Sequence, residues 1–219
     1  MVSTKKGSLK NLVYQKTMDL IISSEFRAGE IITENQLIEK FQVSKSPVRE
    51  ALIQLCCENA LRSIPRCGYQ VVQISAKDIH DLTELRLYLE LSSLHKIADL
   101  LDKETLTQLQ TLTDATELIN EADKWATWND NRRFHLALAE VAGNNQVVAV
   151  LENVLATCTR AYAQIHEKNR DAIAKSGSEH YHMRIVKALE NHDINVAHEC
   201  LRNDIRVTEL LLRGETPTF

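Results

Sequence analysis

Residues 33–72 read TENQLIEKFQVSKSPVREALIQLCCENALRSIPRCGYQVV, and these residues carry the main fold signals of the N-terminal part of the chain. The letters TENQLIEKF predict a short amphipathic helix, because Thr33 is a suitable N-cap and Gln36 follows it three residues later. After the polar turn QVSKS, the letters PVREALIQLCCENAL predict a second helix that begins close to Pro47, where a missing N–H costs nothing. Two helices joined by so short a turn predict a helix-turn-helix.

Hydrogen-bond donors and cations are concentrated at the start of the second helix, as reading of the DNA major groove requires. They are Ser44, Lys45, Ser46 and Arg49. From position 61 the letters LRSIPRCGYQVVQIS predict two short strands around Pro65–Gly68, which form a β-hairpin wing. At its tip Arg66, beside Gly68, is suited to reach a phosphate or the minor groove. The pattern therefore predicts a winged helix-turn-helix that binds double-stranded DNA.

Composition and charge favour a cytoplasmic DNA-binding protein. No apolar run among the 219 residues approaches the length of a membrane span, and the N-terminal MVSTKKGSLKNL lacks the apolar core of a secretion signal. Five cysteines without paired spacing fit a reducing compartment. Residues 1–74 hold 10 Lys and Arg against 7 Asp and Glu, a net charge of +3, while residues 75–219 hold 16 against 23, a net charge of −7. The modest positive excess of the DNA-reading half favours binding by two copies.

The pattern changes after the wing. Between Ser75 and Arg213 there is no proline, and apolar residues recur at helical spacing, which predicts five or six helices. The expected helix starts are Ser75, Asp102, a position near Asp123, Gln146, either Ser176 or Ser178, and Asp193. The fold class is therefore expected to be mainly α, with a winged helix-turn-helix domain over residues 1–74. An all-α bundle that can enclose a pocket is expected over residues 75–219.

Polar side chains occupy positions in the C-terminal helices that should be apolar. Asn131 and His135 are four residues apart on one apolar helix face, and His182 and Asp204 each lie in the apolar stripe of another helix. A carboxylate on such a face is costly unless a cation, a metal or hydrogen bonds compensate it. Two imidazoles, a carboxylate and an amide oxygen together suit a divalent ion such as Zn²⁺, Mn²⁺ or Ni²⁺.

The letters VSKSPVREAL resemble the turn and recognition helix of GntR-family bacterial transcription regulators, and PRCGYQV resembles their wing. The resemblance is contiguous over roughly residues 12–73. It implies that Lys45, Ser46 and Arg49 read bases and phosphates, with Ser44 and Arg66 on the backbone or in the wing. The family often has Arg in place of Lys45, and Lys reads guanine less sharply because it lacks the bidentate fork.

The C-terminal half resembles the FCD effector-binding domain of the FadR-like branch of that family, on NRRFHLALAEVAGN, HMRIVKAL and the final helix. Many members hold a metal with one Asp and three His. The resemblance implies that His135 and His182 are ligands, while Asn131 replaces the Asp and Asp204 replaces the last His. The formal charge of the site is thereby kept, so we expect a metal site in rearranged form. The alternative is a metal-free polar pocket in which these residues bind the effector directly.

Arg86, in LTELRLYLE, matches a position where the family commonly has an Arg that faces the pocket. The resemblance implies that Arg86 binds the carboxylate of a small organic-acid effector. The alternative is a surface ion pair with Glu90, four residues later.

The sequence therefore predicts a ligand-responsive homodimeric transcription regulator that reads an inverted repeat in its operator. Repression is the family's commoner behaviour and is the expected mode. The alternative from a different class is a metal-dependent hydrolase built on His135, His182 and Asp204, with the N-terminal domain as a targeting module.

Overall fold

The computed structural model describes residues 3–117, 124–168 and 178–215 of the chain. It divides into two compact units. The first comprises the residues up to Ser75 together with Arg160–Lys168, and the second comprises the remainder. Each unit has its own buried apolar core. The helix starts predicted near Asp123 and at Ser176 lie outside the described residues.

The first unit is a small helical domain with a three-stranded antiparallel sheet. Its elements are α1 (Ser3–Ile22), β1 (Ile31–Ile32), α2 (Glu34–Phe41), α3 (Lys45–Cys57), β2 (Leu61–Ile64) and β3 (Gly68–Val71). The strands are ordered β1-β3-β2. Helices α2 and α3, followed by the β2–β3 hairpin, confirm the predicted winged helix-turn-helix.

Local signals in the sequence set the bounds of α2 and α3. Thr33 and Gln36 form a reciprocal capping box: the Gln36 N–H donates to Thr33 Oγ1 at 3.2 Å, and the Thr33 N–H donates to Gln36 Oε1 at 2.7 Å. Helix α2 ends at Phe41, and the next residue, the C-cap Gln42, has a left-handed backbone. The buried stripe of α3 consists of Pro47, Val48, Ala51, Leu52 and Leu55. The opposite side of α3 is therefore left free to face solvent.

The sequence patterns do not predict α1 and β1. Helix α1 buries Val13, Thr17 and Ile21 at four-residue spacing, but Leu9 and Leu12 of the same helix are exposed. These exposed leucines blur the apolar stripe on which a helix prediction depends. Strand β1 is only two residues long and exists through its pairing with β3.

The second unit is an all-α bundle, as predicted. Its helices in the described part of the chain are α4 (Ala76–Leu100), α5 (Lys103–Glu117), α6 (Lys124–Val141), α7 (Asn145–Lys168, whose last turns belong to the first unit), α8 (Ser178–Glu190) and α9 (Ile194–Leu212). Asp102 caps α5 by accepting the Thr105 N–H at 2.8 Å, and Asp193 caps α9 by accepting the Val196 N–H at 3.1 Å. Both predicted N-caps are confirmed.

The bundle core lies among α4, α5, α6, α8 and α9. Its most buried side chains include Leu94, Phe134, Leu138, Ile185 and Leu201. Burial of this apolar surface is the main force that holds the helices together. In the described ranges, no helix combines the length and the apolarity that a bilayer crossing needs.

The last turns of α7 complete the first unit through two buried polar side chains. Gln164 Nε2 donates to the Val72 carbonyl at 2.9 Å, and Gln164 Oε1 accepts the Ile74 N–H at 3.1 Å. Arg160 Nη2 donates to the Glu58 carbonyl at 3.3 Å. These hydrogen bonds attach the last turns of α7 to the backbone segments that directly follow β3 and α3.

Replacing Gln164 by Ala is expected to destabilise the first unit by about 1–3 kcal/mol, because the Ile74 N–H loses its acceptor and the Val72 carbonyl loses this donor. Residue-by-residue hydrogen exchange on the full chain checks the prediction, since the Ile74 amide should lose protection. Gln146→Ala, at the exposed start of the same helix, is the control and should leave protection unchanged. If the Ile74 amide exchanges at the same rate in Gln164→Ala and the unsubstituted protein, the prediction is wrong.

Candidate functional sites

The exposed side of α3 carries the residues that we predict to read DNA. The side chains of Lys45 and Arg49 are 63% and 62% exposed. Ser44 occupies the N-cap position, and its side chain makes no capping hydrogen bond. Ser46 Oγ donates to Glu50 Oε1 at 2.9 Å. The structure thus gathers all four residues at one end of α3, where free helical N–H groups and two cations suit an anion. Their contact with DNA stays a prediction.

Glu34, the first residue of α2, was missed by the sequence reasoning. Its carboxylate contacts both exposed cations of α3: Oε1 accepts from Arg49 Nε at 3.0 Å, and Oε2 lies 3.3 Å from Lys45 Nζ. Because Glu34 and its partners lie on different helices, no spacing within one helix signals the contact.

The wing tip holds Arg66 in an uncommon backbone conformation. The Cys67 N–H donates to the Ile64 carbonyl at 3.1 Å, which closes a β-turn with Pro65 second and Arg66 third. The φ angle of Arg66 is 64°, a left-handed value that Gly or Asn adopts at lower cost in this position. An exposed Arg at a strained position is consistent with a side chain kept for a contact. Its role at DNA stays a prediction.

Gly68 has a structural explanation that needs no DNA contact. Its φ angle is 132°, and a Cβ atom there would lie 2.4 Å from the carbonyl oxygen of Ile32 in β1. The missing side chain therefore allows β1 to pair closely with β3. A direct contact between Gly68 and DNA stays a prediction.

Five polar side chains form a continuous chain inside the bundle. Arg86 and Glu90 come from α4, His135 from α6, His182 from α8 and Asp204 from α9, and each is at most 2% exposed. Arg86 Nε donates to Glu90 Oε1 at 2.8 Å, and His135 Nδ1 donates to Glu90 Oε2 at 2.5 Å. His135 Nε2 lies 2.9 Å from Asp204 Oδ2, and Asp204 Oδ1 lies 3.6 Å from His182 Nε2. Basic and acidic groups alternate along this chain, as burial of so many ionisable groups requires.

The facing atoms of His135, His182 and Asp204 converge on one another inside the bundle. His135 Nε2, both Asp204 oxygens and both His182 ring nitrogens are buried, and apart from the ionic contacts between Asp204 and the two imidazoles they have no partner. One ligand atom from each of the three residues lies within 4.8 Å of the other two. Buried polar atoms of this kind are rare unless water, an ion or a ligand satisfies them. Two imidazole nitrogens and a carboxylate oxygen fit a divalent metal ion and leave coordination positions open.

Neighbouring groups orient both imidazoles. Glu90 binds Nδ1 of His135, so that Nε2 points toward Asp204. The ring of His182 stacks on Phe134, with centroids 4.0 Å apart and an interplanar angle of 18°. A carboxylate behind a histidine ligand is the usual way in which proteins fix its tautomer and ring orientation.

Burial and neighbouring charges set the protonation of the cluster. Burial alone would raise the pKa of Asp204, but the imidazoles of His182 and His135 hold that pKa well below its usual value. Burial lowers the pKa of His182. Burial would also lower the pKa of His135, but the Glu90 carboxylate outweighs it and raises that pKa. Asp204 is thus ionised and His182 neutral near pH 7, the forms that bind metals, while a metal competes with a proton at His135.

Two further predicted residues are buried in the same bundle. Asn131, the predicted fourth ligand, lies one helical turn before His135 and is 8% exposed. Its part in metal binding stays a prediction. The ion pair of Arg86 with Glu90 is confirmed, but its expected location on the surface is wrong, because both side chains are buried. Arg86 Nη2 is buried and has no hydrogen-bond partner.

The sequence reasoning named Glu90 only as a surface partner of Arg86 and missed its place in this buried cluster. A signal was present, because Thr83, Arg86, Glu90 and Ser93 recur on α4 at spacings of three and four residues and share the stripe of Ile97. A row of polar residues on the apolar face of a helix indicates a buried polar network.

Two family models match the chain. The model of bacterial regulatory proteins of the gntR family covers residues 9–71, and the FCD domain model covers residues 81–207. Together they cover both the winged helix-turn-helix and the helical bundle.

Individual relatives agree with these models. The HTH-type transcriptional regulator YdhC of Bacillus subtilis is 31% identical over 143 residues, which cover 64% of this chain and 64% of that relative. The HTH-type transcriptional repressor NanR of Enterobacter sp. is 28% identical over 226 residues, which cover 91% of this chain and 84% of that relative. The structure of McbR/YncC from E. coli has the same fold, with a TM-score of 0.74 at 21% identity over 97% of this chain and 98% of that one. The chain therefore belongs to the gntR family of bacterial regulatory proteins, in the branch with an FCD domain.

Proposed function

We propose that this transcription regulator changes its operator affinity when a small organic acid, held with a divalent metal, binds among α4, α6, α8 and α9. The observation that carries the proposal is the set of buried, unpartnered ligand atoms on His135, His182 and Asp204. Such atoms cost free energy when nothing satisfies them, so a site of this composition is expected to have an occupant.

The metal would be held by His135, His182 and Asp204, with Asn131 as the fourth ligand. Nitrogen and oxygen ligands of this kind suit Zn²⁺, Mn²⁺ or Ni²⁺. When bound, the ion supplies a positive centre with open positions for the oxygens of a carboxylate and a hydroxyl.

The charge balance of the cluster favours an anionic effector. Arg86 and Glu90 neutralise each other, and a divalent ion exceeds the single negative charge of Asp204 by one. A monocarboxylate would complete neutrality at a buried site, where an unpaired charge is costly. The unpartnered Nη2 of Arg86 is an available donor for it. In the alternative without a metal, the same residues bind the effector directly.

The DNA-bound form is inferred to be a homodimer. Two copies of α3 related by a two-fold axis would read an inverted repeat. An effector changes the affinity for that repeat only if it binds differently to two arrangements of the dimer. Repression is the expected mode, in keeping with the name of the relative NanR.

Metal content per chain tests the metal part of the proposal. Mass spectrometry is applied to untagged full-length protein purified without chelator, and again after reloading with Zn²⁺, Mn²⁺ or Ni²⁺. We expect about one ion per chain in the unsubstituted protein and its loss in His135→Ala, because a site of four protein ligands cannot lose an imidazole without cost. His95→Ala, which removes an exposed imidazole from the same bundle, should keep the ion. No metal after reloading would favour the metal-free pocket.

The sensor part is tested on an operator selected from a random duplex library. The affinity of the protein for this operator is measured with metal alone and then with metal and each member of a panel of hydroxy acids, sugar acids and amino acids. A shift of operator affinity that disappears in Arg86→Ala supports the proposal. If no acid shifts the affinity with or without metal, the chain is not a sensor of small acids.

The hydrolase alternative receives no support. Glu90, the additional carboxylate found at the cluster, is held by Arg86 and His135 and is not free to act as a general base. The matching relatives are named as transcription regulators.

A further inference from the structure

Glu34 is the least exposed member of an ionic group on the surface that reads DNA. Its side chain is 19% exposed, whereas the side chains of Lys45 and Arg49 are more than 60% exposed. Each oxygen of its carboxylate serves a different cation: Oε1 binds Arg49 Nε, and Oε2 lies near Lys45 Nζ. Glu34 also acts on Tyr69 of β3, whose pKa is raised by burial first and by the Glu34 charge second. The carboxylate of Glu34 in α2 thus contacts two cations of α3, and its charge also acts on a residue of the wing.

The atoms used by Arg49 matter for base recognition. A guanidinium has five N–H donors in a planar fork, and Glu34 occupies the Nε edge. The two Nη groups make the pair of donors that binds the O6 and N7 acceptors of guanine. A guanidinium held at Nε loses less conformational freedom when its other edge binds a base.

We propose that Glu34 is a positioning residue that sets DNA sequence specificity by holding Arg49 at Nε and by confining Lys45 beside it. The second contact has a particular use in this chain. Lys has a flexible stem and no fork, so its ammonium reads a base sharply only if its position is restrained. Glu34 supplies that restraint to a residue that would otherwise sample many rotamers.

The same carboxylate lowers the affinity for DNA of any sequence. It places a negative charge beside the two cations that approach the phosphates, and phosphate contacts provide most of non-specific binding. Removing the charge should therefore raise non-specific affinity while it lowers specificity. A purely structural role of Glu34 predicts instead that both affinities fall together.

The chain provides a matched control for the loss of one negative charge. Glu25 pairs with Lys40 of α2 in the same unit, and both side chains are exposed. Glu25→Gln changes the net charge of the unit by the same amount as Glu34→Gln but touches neither Lys45 nor Arg49. At both sites the cations are exposed, and ion pairs with exposed cations contribute little to stability, so both variants are expected to fold.

The experiment compares full-length protein with its Glu34→Gln, Glu25→Gln and Arg49→Lys variants. A preferred duplex is selected from a random library with the unsubstituted protein, and its affinity and that of a scrambled duplex are measured by fluorescence anisotropy at several salt concentrations. Circular dichroism confirms that each variant is folded. We expect Glu34→Gln to lower the ratio of preferred to scrambled affinity by about tenfold to a hundredfold, the discrimination of a good bidentate base contact. The scrambled duplex should bind more tightly, and Glu25→Gln should keep the ratio.

Arg49→Lys provides a second measure, because it keeps the charge but loses the Nε edge. It should lower the ratio as Glu34→Gln does, and adding Glu34→Gln to it should lower the ratio by less than the two separate effects combined, because only the restraint on Lys45 is then left to lose. The proposal is overturned if Glu34→Gln keeps the ratio, if it weakens both duplexes alike, or if the two substitutions act additively. It rests on Arg49 as a DNA reader, and failure of that premise is distinguishable: Arg49→Lys would then leave the ratio unchanged.

Discussion

Replacing Glu90 by Gln is expected to lower the free energy of unfolding of the metal-free protein by about 3–5 kcal/mol. Glu90 and Arg86 are 0% and 2% exposed, so the substitution leaves a guanidinium inside the bundle without its counter-charge. Gln has nearly the same shape but only one acceptor oxygen, so it can keep the hydrogen bond from Arg86 Nε or the one from His135 Nδ1, but not both. The change therefore removes the charge together with one buried hydrogen bond. Urea unfolding followed by circular dichroism measures the difference.

Two control variants test whether the loss of stability comes from an uncompensated buried charge. Asp81→Asn removes a carboxylate from the same helix at the same four-residue distance from its partner Lys77, but that pair is exposed and no measurable change is expected. The double variant Arg86→Met with Glu90→Gln removes both buried charges and should recover most of the lost stability. Equal effects of Glu90→Gln and Asp81→Asn would refute the assignment of the cost to an uncompensated buried charge.

The parts of the fold that could be predicted from sequence are those fixed by neighbours in the chain. The capping box of Thr33 with Gln36 and the caps Asp102 and Asp193 each depend on residues within one helical turn. Strand β1 depends instead on the close approach of Ile32 to Gly68, two positions far apart in the chain. Two extended residues have no periodicity that a pattern can detect.

The candidate effector site divides in the same way. His135, His182 and Asp204 could be found because each is polar within an apolar stripe of its own helix. The burial of Arg86 and Glu90 could not be predicted, because an ion pair four residues apart on a helix has the same spacing whether it is exposed or buried. Whether the pair is exposed or buried depends on α6 and α9, which pack against that side of α4. The same limit explains why Glu34 was missed, since its partners lie on another helix.

Replacing Asp204 by Asn is expected to weaken Zn²⁺ binding by about two to three orders of magnitude. Structural zinc sites bind with apparent free energies of about 10–16 kcal/mol, so one of four ligands corresponds to about 2.5–4 kcal/mol. Asn keeps the shape of Asp204 at a position that is 0% exposed, and removes the only carboxylate among the described candidate ligands. Competition with a chromophoric chelator measures the dissociation constant.

Adding Asn131→Asp to the Asp204→Asn variant is expected to recover much of the lost affinity. The second substitution returns a carboxylate to a buried position one helical turn before His135, and so restores the charge of the site. Asn153→Asp, on the exposed side of α7, adds the same charge away from the cluster and should recover nothing. If Asn131→Asp and Asn153→Asp act alike, Asn131 is not a ligand. Recovery at position 131 alone would mean that the metal requires one carboxylate and accepts it from either helix.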